Sequence, residues 1–349
     1  MLDLFAGVGG LSEGFSQADS RYRAVRAVEL EPRAAAGYAL NHATGVFVGS
    51  IQDWLATEQT PEVDLVIGGP PCQGFSALGA RRVDDERNLL WRHYAEAVVR
   101  ASPAYFVLEN VPQFYSSAQF DMFQEMTRPG GILEDYAITP HLANAAEYGT
   151  AQIRRRVIVI GHRRDLSDPG FPEGNPDRAK WPKLRDVIAG FPLPGEPLRG
   201  RVHELPDGKP SPGPFRSDEL HVARTYSDLS KRRFKNIPYG GNRFDLEDDL
   251  KCEAWKNHSS GSGDVMGRLR WEEPSVTIRT EFTKPEKGRY LHPVHHRAIS
   301  PHEGARIQGF PDDYLFVGPI TQIVKQIGNA VPIPLGRAIG KHLLSSIPS

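Results

Sequence analysis

Two cysteines in 349 residues, Cys72 and Cys252, are too few for a disulfide framework. Neither belongs to a CxxC pair or a Cys/His cluster, so the sequence offers no zinc site and no metal is expected. No apolar run is long enough to cross a bilayer, which excludes a membrane-spanning role. No basic stretch leads into an apolar one at the start, because acidic Asp3 follows Met1 almost at once, and this argues against a secretory leader. Excess charge is missing too: 42 Lys and Arg stand against 43 Asp and Glu, a formal balance of −1. The molecule is no polycation, and a nucleic-acid partner would need a local basic patch. These absences point to a reducing compartment, the cytosol or a eukaryotic nucleus. The chain also lacks internal repeats. Its length suits one large α/β domain with a smaller one, or two ordinary domains.

What is present is alternation. Short apolar runs at Leu2–Phe5, Ala24–Glu29, Val46–Gly49, Val63–Ile67, Tyr105–Leu108, Tyr136–Leu142 and Val157–Gly161 read as strands. Helical patterns at Gly10–Ala18, Pro32–Asn41, Asn88–Arg100 and Ala118–Met126 fall between them. This predicts an α/β fold with a doubly wound, mostly parallel sheet, closed at one edge by a hairpin of the last two strands. Leu2–Phe5 reads as a first strand without its usual lead-in, which implies residues upstream of Met1. After about Asp165 the texture changes. Residues 166–265 are rich in Pro, Gly and charge, with no long periodic helix, and regular structure resumes at Ser300–Gln308 and near Ile323–Leu344. The expected division is 1–165, 166–280 and 281–349. Within the middle stretch, His221–Arg243 carries Arg224, Lys231, Arg232, Arg233, Lys235 and Arg243 against one acid, Asp228. That is either a solvated basic face or a phosphate-contacting surface.

Several motifs carry chemistry. DLFAGVGGLSEGF, residues 3–15, reads as strand, glycine turn and helix, where backbone can approach a ligand closely. It is not a dinucleotide fingerprint, because Ser12 stands where the third glycine of GxGxxG would fall. Glu29 ends the next strand, where a carboxylate can take both ribose hydroxyls of a nucleoside, unless it is only a surface acid. GGPPCQGFS, residues 68–76, puts Cys72 just past a strand and a rigid Pro-Pro turn, a setting for a presented nucleophile rather than an inert buried thiol. LENVPQF puts Glu109 and Asn110 at another strand end on the same side of a doubly wound sheet, although a capping Glu-Asn pair would look alike. In QIRRR, alternation along a strand sends Arg154 and Arg156 to one face and Arg155 to the other. RLRWEEPSVTIRT and QIGNAVP, residues 268–280 and 326–332, have no obvious chemistry alone, and Asn329 reads as a plain turn residue.

In this order, the blocks from Leu2 to about Ile333 closely resemble the DNA cytosine-5 methyltransferase family. The resemblance implies a sheet of the S-adenosylmethionine-dependent methyltransferase type with a smaller, irregular target-recognition domain. It implies a cofactor site at Phe5, Ala6, Gly7, Val8, Gly9 and Gly10, at Glu29 with Leu30, at Ser50 with Ile51, at Pro71 and Leu90, and at Asn329 and Val331. It makes Cys72 the nucleophile that adds to carbon 6 of cytosine and Glu109 the donor to ring nitrogen 3. Arg156 would hold the exocyclic oxygen, while Arg154 would order the Cys72 and Glu109 side. A base inside a duplex cannot reach a buried thiol, so it must flip out. Gln73–Arg87 is the expected closing element, with Ser76, Arg81 and Arg82 near phosphates, and Lys231, Arg232 and Arg233 beyond them on the duplex.

One departure stands out. The family usually has an acid after the third strand for the adenine amino group, and here Ser50 takes its place, with Asp53 as the nearest substitute. A transfer-RNA methyltransferase built on the same motifs would typically carry a Cys-Phe-Thr signature, which is absent. A silent DNA-binding relative would not need Cys72, Glu109, Arg154 and Arg156 all intact. The resulting expectation is a bacterial, cytoplasmic, nucleoid-associated monomer acting on double-stranded DNA, alongside a restriction nuclease or another defence system.

Overall fold

The computed structural model describes residues 1–71, 89–196, 198–256 and 263–346. Its centre is a seven-stranded sheet in the order β3-β2-β1-β4-β5-β7-β6. The strands are β1 (Leu2–Leu4), β2 (Arg26–Glu29), β3 (Val46–Val48), β4 (Leu65–Gly68), β5 (Tyr105–Asn110), β6 (Tyr136–Asn144) and β7 (Arg155–Arg163). The first five are parallel, and β7 runs antiparallel between β5 and β6. The expected strands, helices and edge hairpin are all present, with ends shifted by a few residues.

The central strands read as unbroken apolar runs because helices cover both faces. In β7, Val157 and Val159 enter one core with Trp54, Trp91, Tyr94 and Phe106. Ile158 and Ile160 enter the other with Phe15, Ile67, Leu335 and Ile339. This period of two is the pleat of the strand. The helices α1 (Gly10–Ala18), α2 (Pro32–His42), α3 (Ile51–Thr57) and α4 (Leu90–Ala101) connect the parallel strands. The C-terminal helix Ile333–Leu344 lies against α1 so closely that a Cβ on Gly14 would sit 2.8 Å from the Gly336 Cα.

The C-terminal stretch Ile323–Leu344 is two helices, Ile320–Asn329 and Ile333–Leu344. They part at Pro332, whose ring cannot continue the first helix. The irregular middle holds a nine-residue helix, Asp228–Asn236, that its weak apolar period did not announce. It also holds the pair Val202–Glu204 with Pro210–Pro212, while Phe215–Arg216 pairs with Leu315–Phe316 near the end of the chain. Leu184, Ile188, Phe215 and Leu220 share a core with Ile299, Ile307, Phe310 and Ile323. Phe234, Ile237, Leu246, Leu250, Met266 and Leu291 form a small core of their own. Packing therefore changes hands inside the middle stretch rather than at its ends. No helix among the described residues is long and apolar enough to cross a membrane.

Candidate active site

The glycine turn follows β1, at the carboxyl edge of the sheet. Phe5 and Gly7 take left-handed backbone, at φ 56° and 57°, and Gly9 follows at 95°. The Ala6 N–H donates to the Val28 carbonyl at 3.1 Å and the Gly9 N–H donates to the Ala6 carbonyl at 2.9 Å. The Gly7 N–H donates to Glu29 Oε2 at 2.8 Å, and the Glu31 N–H donates to Oε1 of the same carboxylate at 2.8 Å. Glu29 thus braces the turn, and burial raises its carboxyl above the usual range.

The glycines have different jobs. No described atom lies within 4 Å of a Cβ built on Gly7, so its free side faces open space. A Cβ on Gly9 would strike His42 and the Tyr314 hydroxyl, and one on Gly10 would lie 2.8 Å from the Val331 carbonyl. Gly7 leaves room for a ligand, whereas Gly9 and Gly10 leave room for the protein itself. Val8 turns into the protein core and Val331 is buried, so the terminal motif returns to the turn as expected. Asn329 is exposed at the end of its helix. Leu30 is 69% exposed beside Glu29, an apolar surface at the strand end.

Ser50 is the N-cap of α3. Its hydroxyl accepts the Asp53 N–H at 3.0 Å and donates to Asp53 Oδ2 at 2.6 Å. Both groups are committed to the cap, so Asp53 is tied to Ser50 rather than freely replacing it. The Ile51 side chain is in the core, which leaves only its backbone for a ligand. Leu90 is partly buried against that core at the start of α4.

The second half of the site lies at the ends of β4, β5 and β7. Asn110 Nδ2 donates to the Pro70 carbonyl at 3.0 Å, tying the ENV strand end to the start of the PPC turn. Glu109 Oε2 is 3.0 Å from where a Cβ on Gly69 would sit, so a larger residue there would displace the carboxylate. Arg156 Nε pairs with Glu109 Oε1 at 2.6 Å, with both side chains about six-sevenths buried. Pro71 is half-buried at the rim. Cys72, Ser76, Arg81, Arg82 and the closing element Gln73–Arg87 lie outside the described residues.

Arg154 is held by backbone from two distant segments. It is buried, and its Nη1 donates to the Ile278 carbonyl at 2.9 Å and the Gly328 carbonyl at 3.0 Å. Burial, with the charge of Arg156 second, lowers the affinity of this guanidinium for its proton. It fastens the TIRT and GNAVP segments to the sheet. Gln152 works with it: its Nε2 donates to Gln308 Oε1 at 2.8 Å and its Oε1 accepts the Ile278 N–H at 2.8 Å. Gln308 Nε2 then donates to the Ile327 carbonyl at 2.7 Å. Sequence reading missed Gln152, Gln308, Tyr314 and His42, whose roles depend on partners far along the chain.

The basic helix Asp228–Asn236 is also more occupied than its composition suggested. Lys231 pairs with Asp228 at 3.5 Å and Arg232 with Asp249 at 3.1 Å. Arg233 Nε donates to the Leu250 carbonyl at 2.7 Å while its guanidinium lies 4.9 Å from the Trp255 ring centre. Among the described residues no group of acids, histidines and cysteines is arranged to hold a metal.

Comparison with known proteins places this geometry. Residues 1–345 match the family described as C-5 cytosine-specific DNA methylase. The chain is 32% identical to the type II methyltransferase M.XorII of Xanthomonas oryzae pv. oryzae, over 99% of this chain and 84% of that one. It is 30% identical to M1.HphI of Haemophilus parahaemolyticus, over 98% of this chain and 86% of that one. Among solved structures, a DNA modification methyltransferase encoded within an E. coli prophage superposes with a TM-score of 0.67 at 24% identity, over 99% and 98% of the two chains, and supports the fold. The sheet order, the glycine turn braced by a carboxylate, and a family match over nearly the whole length all agree: the chain belongs to the C-5 cytosine-specific DNA methylases.

Proposed function

We propose that this enzyme methylates a cytosine within a specific duplex sequence by a covalent route through Cys72, with Glu109 and Arg156 serving the flipped base. The observation that carries this reading is the 2.6 Å pair between Arg156 and Glu109, set against Gly69 three residues before the cysteine. Carbon 5 of cytosine is a weak nucleophile. Addition of the Cys72 thiolate to carbon 6 turns the ring into an enamine, with electron density at carbon 5. Glu109 pairs with Arg156 in the free enzyme; once it carries a proton it can donate to ring nitrogen 3, while Arg156 holds the exocyclic oxygen, so the charge developing on the ring meets prearranged partners. Once carbon 5 carries the methyl group, a base, for which water would serve, takes its remaining proton, the carbon 6–sulfur bond breaks, and Cys72 leaves as the thiolate while the ring regains aromaticity.

S-adenosylmethionine, the cofactor of this family, supplies an electrophilic methyl on a sulfonium. The residues fit it: open space beside Gly7 adjoins the Glu29 carboxylate and the exposed apolar face of Leu30. Glu29 would take the ribose hydroxyls, Gly7 would let the chain approach, and Leu30 would cover the base. Phe5–Gly10, Ser50, Pro71, Leu90, Asn329 and Val331 complete the proposed site.

On the DNA side, Ser76, Arg81 and Arg82 are assigned to phosphates near the target base, and Lys231 and Arg232 to the far side of the duplex. The sequence blocks around the irregular middle support a target-recognition role for residues 166–280. The type II names of the two curated relatives support a bacterial, cytoplasmic setting beside a restriction nuclease or another defence system. We take the enzyme to act as a monomer.

Tritium transfer from labelled S-adenosylmethionine tests the reading, with unmethylated duplex DNA, single-stranded DNA and bulk transfer RNA in parallel. Label on duplex DNA at carbon 5 of cytosine, lost in Cys72→Ala, is the expected outcome. Label on RNA alone, or transfer undiminished in Cys72→Ala, would sink it.

A further inference from the structure

The glycine turn is held on its outer side by Glu29 and on its inner side by two residues that the mechanism above does not use. Tyr314 is buried, and its hydroxyl donates to the Val8 carbonyl at 2.6 Å. That hydrogen is spent, so the hydroxyl oxygen accepts from His42 Nε2 at 3.1 Å, which fixes the imidazole as the Nε2–H tautomer. Burial pushes His42 down to about 4, so the ring is neutral at physiological pH and donates through that single proton. The His42 ring is itself held by Tyr38, at 4.6 Å between centroids. Both polar groups lie directly behind Gly9, in the space a Cβ there would fill. Tyr314 reaches this point because Leu315, its neighbour, is anchored to α2: its N–H donates to Asn41 Oδ1 at 2.9 Å, and its carbonyl accepts from Asn41 Nδ2 at 2.8 Å.

A left-handed turn whose outer face must stay open for a ligand can take little support there beyond the Glu29 carboxylate. The rest of its conformation has to be set from behind. We propose that Tyr314 and His42 are positioning residues for S-adenosylmethionine: they hold the Val8 carbonyl and the Gly9 backbone so that the turn is formed before the cofactor arrives. This rests on the assignment of Phe5–Gly10 and Glu29 to the cofactor. The brace acts through the loop and touches no reacting atom. Its loss therefore falls on cofactor binding and on the order of the free loop.

Tyr314→Phe removes the hydroxyl and keeps the ring packed against Phe310 and Phe316. Calorimetric titration of the purified protein with S-adenosylmethionine and with S-adenosylhomocysteine reads the effect. Hydrogen exchange of the peptide covering residues 5–10, without ligand, reads the loop directly. The expected result is about tenfold weaker binding of both compounds, the weight of one well-made buried hydrogen bond. Faster exchange of the free loop should accompany it, with a rise in KM for the cofactor that exceeds any fall in kcat. A Tyr314→Phe protein with a lowered melting temperature but unchanged dissociation constants and loop exchange would overturn the proposal. His42→Phe, which removes the ring nitrogens and keeps an aromatic ring against Tyr38, should weaken binding in the same direction and serves if Tyr314→Phe does not fold. Glu29→Ala separates the two claims. Unchanged binding there refutes the cofactor assignment itself, whereas weakened binding there with Tyr314→Phe and His42→Phe unaffected refutes the brace alone.

Discussion

At the scale of single residues, neighbouring arginines of one motif do opposite work. Arg156 ends in an ion pair with Glu109, and Arg154 ends on two backbone carbonyls from segments 124 and 174 positions away. Removing Arg154 strands two buried acceptors, each costing about 1–3 kcal/mol. Arg154→Ala should therefore lose several degrees of melting temperature together with activity. Arg156→Ala should keep most of its stability and lose catalysis, by about 100-fold or more in kcat with cofactor binding retained. Thermal denaturation and cofactor titration of the two variants distinguish them, and equal stability losses would mean that Arg156 is also structural. Alternation along a strand was enough to put both arginines on one face. It could not tell which would be buried, because that depends on Ile278 and Gly328 arriving from far along the chain.

At the scale of elements, the sheet was legible and the middle of the chain was not. Buried parallel strands advertise themselves as apolar runs, and each helix between them has a period to read. The helix Asp228–Asn236 has only Phe234 fully buried, so its signal is charge rather than period. Its cations looked less opposed than they are because Asp249, which answers Arg232, comes from the following segment. These surface pairs are weak, about 0.2–1 kcal/mol, and can be exchanged for phosphates. Arg233 is different, since it covers Trp255 and caps a carbonyl. Lys231→Ala with Arg232→Ala should leave melting within a degree or two and reduce the salt dependence of DNA binding by about two units of log–log slope. Arg233→Ala should instead lower stability. Filter or fluorescence titrations across a salt series would read the first effect, and an unchanged slope would remove this helix from the DNA surface.

At the scale of the whole molecule, the site is a junction of segments distant in sequence. Gln152, Gln308 and Arg154 tie the start of β7, the TIRT segment and the GNAVP turn into one unit, and every one of those bonds is buried. Ordered motifs in the sequence announced that these segments belong together. The amide relay that joins them was silent, since glutamine has no period and no charge to betray it. Gln152→Ala and Gln308→Ala should each cost about 1–3 kcal/mol, and the double variant should cost clearly less than their sum, because either change already leaves the other amide unpaired. Additive losses in denaturant titrations would show that the two amides act separately.

Val8 and Tyr314 stand 306 positions apart. Synthesis runs from the amino end, so the glycine turn is made long before the tyrosine that braces it. A ribosome must pass the irregular middle before the tyrosine emerges. A growing chain would hold its glycine motif, its cysteine and its carboxylate while lacking the support that shapes the turn. Under the proposed brace, full affinity for the methyl donor arises only once Tyr314 has been made.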